Sequence, residues 1–385
     1  MLEERKFNGD RLKSARIYRG KTISQIAEEI DVTKQAISQF EKGKSNPGFE
    51  TLIKLTQNLG FPKEYFYEYD SENTKIGNTF FRAQASITKK EESAYSEKIM
   101  IFSKLYKFVE EYINFPKLNI PELVEDIESN EEIEKLALNL RQYWGIGDKP
   151  IVNLVNLMEK NGFKITSFST NSSKVDAFTQ PQQNSFGEIE YFIALGNDKN
   201  SAVRRQFDLA HELGHIMLHY WAEDTSSLSK DEYKLIENQA NEFASAFLLP
   251  RSSFLKDLIY PTNLDFYAEL KKKWRVSIGA MMVRAYKLNV ISYNQYQYMI
   301  KQASKKGWRI KEPLDDELKL PKPVLVKKAI EMLIENNVFT KRKLVEEIHN
   351  SSISINRNEI EFLLGLDIDY LREDEIKSNV ISLKL

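Results

Sequence analysis

The chain has 385 residues, 42% of them hydrophobic and 29% charged, with 15 Gly and 11 Pro. At roughly one to two hundred residues per domain this is two or three globular domains, which excludes a disordered, fibrous or peptide-sized chain. There is no cysteine, so disulfides, thiolate metal sites and cysteine nucleophiles are excluded, and a reducing cytoplasm suits the composition.

The formal charge of −1 hides an asymmetry: residues 1–60 hold 11 Lys and Arg against 8 Asp and Glu, and the remainder 44 against 48. A nucleic-acid partner is therefore to be sought at the N-terminal end. Glu3, Glu4, Arg5 and Lys6 are followed by no apolar run, so the start does not read as a secretory signal. No window approaches the roughly 18 apolar residues of a membrane-spanning helix.

Apolar residues at helical spacing predict short helices in Leu12–Ile17, Ile23–Ile30, Ile37–Phe40 and Leu52–Leu59, with Thr22 and Thr33 as caps and Asn46-Pro47-Gly48 as a loop. Residues 70–78, DSENTKIGN, read as a linker. Beyond it, 92–112 predicts one long helix stopped near Pro116, and Pro121 opens a strongly acidic helix whose carboxylates form a solvated face. An amphipathic helix over 151–160 and an Asn161-Gly162 turn precede three candidate strands, Phe163–Phe168, Val175–Thr179 and Ile189–Leu195. Two helices follow, about Ala202 to His219 and Asp231 to Leu249, and the last 130 residues read as mostly helical. The expected fold is mainly α with a small β-sheet (α+β). Its expected division is a helical N-terminal domain at 1–69, a linker at 70–91, a second domain holding the sheet at 92–260 and a helical region at 261–385.

Within the first domain SQIAEEI makes one helix, Asp31-Val32-Thr33 a turn, and KQAISQFEKG a second helix, with Ala27 small enough for close packing. This is helix-turn-helix spacing, in which the second helix presents its N-terminal side chains to the major groove. Ile37 and Phe40 are expected to point inward and Lys34, Gln35, Ser38 and Gln39 outward. Gln pairs with adenine, Lys reaches guanine or a phosphate, and Ser tolerates either. Residues 9–65 resemble the Cro/C1-type (XRE) repressor domain. That resemblance implies base contact from Lys34, Gln35, Ser38 and Gln39, phosphate contact near Lys42, Gly43 and Lys44, double-stranded operator DNA as partner, and a homodimer reading two half-sites. Two positions depart from the pattern: Asp31 stands where Gly is usual, and Ile23 where a polar residue is usual. The competing reading is a helical bundle used only for protein contact.

In the second half, His211-Glu212-Leu213-Gly214-His215 puts two imidazoles four residues apart on one helix face, where they can share a zinc ion. Glu212, beside the first of them, can take the proton of a metal-activated water. A third ligand is needed. At about 1.5 Å rise per residue, His219 lies roughly 12 Å along the axis from His211, too far for one ion, and is read as packing or support. Glu237 is the better candidate: on the wheel of residues 231–249 it falls in the apolar sector with Tyr233, Ala240, Ala244 and Leu248, while Glu232 and Glu242 face solvent. A buried carboxylate needs a metal or a charged partner, a buried Arg being the alternative.

RRQFDLAHELGHIMLH followed by ENQANEFASAFLLP resembles the ImmA/IrrE zinc metallopeptidases, and the likeness extends through TFFR at 79–82, DAF at 176–178, WRVSIGAMMVRA at 274–285 and GWRIKEP at 307–313. It implies a zincin-like fold, zinc held by His211, His215 and Glu237, Glu212 as general base and Asn241 as support. It further implies a cytoplasmic regulator that cuts a partner repressor or antitoxin. A second hypothesis is a repressor or antitoxin whose peptidase-like domain only senses a ligand or partner; the intact Glu212 argues against it. Residues 266–294 could be read as another helix-turn-helix, but Trp274, Met281 and Met282 are expected in a core, and Lys271 to Lys273 as a solvated run.

Overall fold

The computed structural model of the chain describes residues 6–69, 75–77, 80–83, 88–123, 127, 129–168, 175–184, 187–197, 201–219 and 228–373. Its contacts form two compact units, one of Met1–Ser71, Ser93–Asn114 and Val326–Leu385, the other of Glu72–Glu92 and Phe115–Leu325.

In the first unit α1 (Gly9–Tyr18), α2 (Ile23–Glu29), α3 (Lys34–Glu41) and α4 (Phe49–Leu59) lead into a short 3-10 turn at Lys63–Tyr67. Thr22 closes a capping box with Gln25, and the Thr33 hydroxyl accepts from Ala36 N–H, so each helix of the helix-turn-helix starts on its own cap. Asp31 takes the left-handed backbone (φ 57°) that the turn between α2 and α3 requires. Leu12, Ala15, Ile26, Ala27, Ile37 and Leu55 form the buried interior. Phe40 is only half-buried, contrary to its expected inward place, because the last turn of α3 lies at the rim of that interior. Helix α5 (Lys89–Glu110) is longer than the expected 92–112 span at its start, and buries Ile99, Phe102, Leu105 and Val109.

The second unit is built on a sheet that among the described residues has five strands. β3 (Lys164–Phe168) runs parallel to β5 (Ile189–Gly196), β5 is antiparallel to β4 (Val175–Gln183), and both β1 (Lys75–Ile76) and β2 (Phe80–Ala83) pair antiparallel with β4. Two expectations change here. Residues 75–76 of the expected linker are a strand, the rest of 70–78 apart from 77 lying outside the described residues, and Phe80, Phe81 and Arg82 of the TFFR stretch also pair. β4 continues to Gln183, past the expected end at Thr179, because its far half pairs with both β1 and β5.

The acidic helix expected to open at Pro121 starts instead at Asn130 as α6 (Asn130–Tyr143), on a Ser129–Glu132 capping box. Residues 121–123 are not helical, and 124–126 and 128 lie outside the described residues. After α7 (Leu154–Lys160) and the sheet come α8 (Ala202–Leu218) and α9 (Lys230–Leu248), then α10 (Arg251–Asp257), α11 (Leu264–Trp274), α12 (Ile278–Lys287) and α13 (Tyr293–Lys305). Trp274, Met281 and Met282 share one apolar core with Leu209, Leu213, Phe243 and Phe247. Lys271 does not belong to a solvated run: its side chain is 0% exposed and its ammonium sits 2.8 Å from Glu312 and 2.6 Å from Asp315. Glu312 also accepts the N–H groups of Ile278 and Gly279 at 2.8 and 3.0 Å. A carboxylate thus covers the N-terminus of α12, where a DNA-reading helix would need to be bare.

The last helices, α14 (Leu325–Glu335), α15 (Lys341–Asn350) and α16 (Arg357–Leu364), return from α14 onward to the first unit. Glu359 accepts from the Tyr18 hydroxyl at 2.6 Å and from Arg19 at 2.5 Å, Ser354 N–H donates to the buried Glu68 at 2.9 Å, and Asn356 donates to the Gly60 carbonyl at 2.8 Å. Chain order suggested boundaries at 92 and 261; the contacts group α5 and the last sixty residues with the helix-turn-helix instead. No helix among the described residues is long and apolar enough to cross a membrane.

Candidate metal centre

Helix α8 is buried around its circumference: Leu209, Ala210, His211, Glu212, Leu213, Gly214, His215 and Ile216 are all inside. Ser201 caps its start by accepting from Arg204 N–H. Helix α9 begins on a Ser229–Glu232 capping box, which fixes its phase and hence the direction of Glu237 two turns on. Gly214 sets the distance between them. A Cβ at that position would stand 3.0 Å from the Ala240 carbonyl oxygen, 3.1 Å from Ala240 Cα and 3.3 Å from Phe243 Cβ. A side chain there would press α9 outward by a few tenths of an ångström, so the glycine lets the helix that carries Glu237 lie close against the two imidazoles.

His211 Nε2 and His215 Nε2 are 3.0 Å apart, Glu237 Oε2 lies 3.4 Å from the first and Glu237 Oε1 3.3 Å from the second. Around an ion with bonds of about 2.0–2.1 Å, tetrahedral ligands stand about 3.3 Å from one another. Each imidazole nitrogen thus has one carboxylate oxygen at about that spacing, and one donor atom from each of the three residues lies within 4.8 Å of the others. Two imidazoles and one carboxylate are also a donor set that suits zinc in a catalytic site. These side chains fit a metal ion.

Each ligand is held from behind. His211 Nδ1 faces Asn241 Oδ1 at 3.1 Å, and Asn241 in turn donates to the Glu237 carbonyl at 2.8 Å. This partner takes the Nδ1 proton and leaves the Nε2 lone pair for an ion. His215 Nδ1 is 3.0 Å from His219 Nδ1; His219 Nε2 is 3.0 Å from Gln239 Oε1, and Gln239 donates to the Ile127 carbonyl at 3.2 Å. Burial, then the neighbouring His215, pushes the His219 imidazole down to about 4. It is neutral at ordinary pH and serves as a hydrogen-bond partner. Burial would raise the Glu237 carboxyl, but hydrogen bonds and charge from His211 and His215 outweigh it and hold it well below the usual carboxylate range. Tyr233, one turn before Glu237, has its phenol pushed up to about 12 by burial and by its hydrogen bond and proximity to Glu237.

Glu212 is 0% exposed, and its Oε2 accepts from Thr179 Oγ1 at 2.6 Å. That bond holds the carboxylate from β4. An ionised carboxylate in that setting can take a proton and return it, provided the hydroxyl keeps it oriented.

The residues singled out in the second half therefore come together. His211, His215 and Glu237 form one cluster, His219 stands behind His215, and the partners of Glu237 are imidazoles rather than an arginine. Glu237 is 27% exposed. Glu242, placed at the solvent face of the wheel, is only 16% exposed and pairs with Lys287. Thr179 and Gln239 carried no signal in the sequence. Thr179 is the last residue of a candidate strand, and its meeting with Glu212 needs the register of the sheet. In the first unit Lys34, Gln35 and Gln39 are exposed along α3, Ser38 is half-buried, and Lys42, Gly43 and Lys44 are exposed beyond its end.

Two families match the chain. The IrrE N-terminal-like domain of the M78 peptidases covers residues 158–286, and a helix-turn-helix domain covers residues 9–69. The chain is also similar to the SPbeta prophage-derived uncharacterized HTH-type transcriptional regulator YonR of Bacillus subtilis (strain 168), 33% identical over 57 residues. That match takes in 15% of this chain and 53% of the other, so the chain spans about half the length of this relative.

Proposed function

We propose, for a chain that joins an XRE-type helix-turn-helix domain to an IrrE/ImmA-like domain of the M78 peptidase type, a DNA-binding transcriptional regulator whose second domain is a zinc-dependent peptidase acting on a partner repressor or antitoxin. The observation that carries the reading is the convergence of His211, His215 and Glu237 on one point beside a buried Glu212 held by Thr179. Zinc in such a site supplies a Lewis acid that polarises a peptide carbonyl and acidifies water. Glu212 takes the proton of the attacking water and hands it to the leaving amine, and Thr179 keeps the carboxylate aimed through both transfers. Asn241 and the His219–Gln239 pair hold the imidazoles at fixed angle and tautomer. On the DNA side, Lys34, Gln35, Ser38 and Gln39 read bases, Lys42 and Lys44 hold phosphates, and two copies bind an operator with two half-sites.

The test is metal content of the purified protein by plasma mass spectrometry, with His211→Ala and Glu237→Ala beside the wild type. One zinc per wild-type chain, lost from both variants, is expected. A wild type that holds none after incubation with zinc would end the peptidase reading.

A further inference from the structure

The sheet of the second unit has a core of β3, β5 and β4, to which β1 and β2 are added on the outside of β4. Pro181 marks that outer side as an edge. Its carbonyl accepts from Gly77 N–H at 2.9 Å, and in an antiparallel ladder the N and C=O of one residue face the same neighbour. The position without an N–H therefore points outward, where proline is tolerated on an edge strand and not inside a sheet. Gly77 allows the approach: a Cβ there would meet Pro181 Cγ at 2.9 Å. Thr179 faces outward by the same alternation, two residues away, and it is the residue whose side chain holds Glu212. The outer edge of β4 thus runs past the candidate base, and β2 packs against α8, which carries it.

What lies on this edge is short and broken. β1 pairs at Lys75↔Gln183 and Ile76↔Gln182; β2 pairs at Phe80↔Thr179, Phe81↔Phe178 and Arg82↔Ala177, then slips before Ala83. β4 and β5, by contrast, pair without a slip from Ala177 to Gln183. A four-residue edge strand held by backbone bonds to one neighbour is the arrangement another extended peptide can replace.

We propose that the outer edge of β4 is a groove for an extended peptide, and that β2 of this chain fills it as an internal pseudosubstrate strand which an incoming peptide displaces. Its consequence for hydrolysis rests on the peptidase reading; occupation of the groove does not. Before the strand, residue 69 belongs to the DNA-binding unit, and after it so does Ser93, so the pseudosubstrate is tied at both ends to the part of the chain that reads DNA.

The probe is a fluorescein-labelled peptide of residues 78–85, NTFFRAQA, titrated by anisotropy into the full chain. Phe80→Pro, which removes the N–H that β2 turns toward Thr179 of β4, is expected to bind it at least tenfold more tightly than the wild type. Equal binding by the two, or none by a folded variant, would overturn the proposal. A second variant does not depend on that one folding: Arg82→Cys with Ala177→Cys places two thiols on opposed residues in a chain that has no other, at the Cα spacing of about 4.5–5.5 Å that a disulfide spans. Oxidised, it should slow amide exchange along β4 and refuse the probe, and reduction should reverse both. Exchange unchanged by oxidation would show β2 to be a permanent strand and sink the idea. Glu212→Gln in the Phe80→Pro background should bind the probe as well as its parent. Binding therefore decides this proposal, and Glu212-dependent cutting decides the peptidase reading.

Discussion

The α3 face and the metal centre treat polar side chains in opposite ways. Lys34, Gln35 and Gln39 stand in water with no partner needed for the fold, so their chemistry is available at no cost in stability and each can be changed without disturbing its neighbours. His211, Glu212, His215 and His219 are buried, and each is matched by a hydrogen-bond partner that a fold must place: Asn241, Thr179, His219 and Gln239. Burying a polar group without a partner costs on the order of 1–3 kcal/mol. A recognition surface can therefore be written as a pattern on one helix, whereas a buried centre has to be assembled from several elements at once.

Breaking the buried side should produce the largest effects. Glu212→Gln keeps the shape and the Thr179 contact but removes the base; peptide hydrolysis should fall about 10²- to 10⁴-fold, with zinc content and operator binding unchanged, as metal analysis and gel shift would show. Next comes pH. Because the His219 pKa is depressed from 6.5 to about 4, its contribution to stability is complete above about pH 6.5 and is lost as pH falls through 4. The full effect is about 3 kcal/mol. Urea unfolding of metal-free protein between pH 7.5 and 4 should show a steeper loss for the wild type than for His219→Gln, and parallel curves would contradict it.

Asn241→Leu removes the partner of His211 Nδ1 without touching a ligand, and should weaken zinc about 10- to 100-fold in a chelator competition. On the exposed side the effects should be smaller and independent. Gln39→Ala should cost about 1–3 kcal/mol at one base position. Lys42→Ala should lower affinity evenly across sequences and reduce the salt slope by about one. Both variants should melt like the wild type, and a large drop in melting temperature would mean that the α3 face is less independent of the fold than its exposure indicates.

The helix-turn-helix was legible because its information is local. Thr22, Thr33 and Asp31 act within a few residues of themselves, and Ile26, Ala27 and Ile37 repeat at helical spacing. The i, i+4 histidines were legible for the same reason, and Glu237 because a carboxylate in an apolar sector is anomalous on its own helix. The acidic stretch after Pro121 misled because charge pattern says which face is wet and not where a helix begins; Ser129 settled that with a cap. Lys271 misled because a lysine in a basic run reads as solvated until Glu312 and Asp315 arrive from about forty residues away.

From its sequence alone came the two regions where chemistry was to be sought: a helix-turn-helix with polar side chains along its second helix, and a helix pair carrying His211, His215, Glu237 and Glu212. Only tertiary structure decided that Thr179 holds Glu212, that Gly214 sets the α8–α9 distance, that Phe80–Ala83 lies on the edge of β4, and that the last helices return to the first unit. The physical reason is range. Propensity, capping and periodicity act over a turn or two of chain, while strand register and close helix approach join residues far apart in sequence, and the energy that selects them exists only once those residues meet.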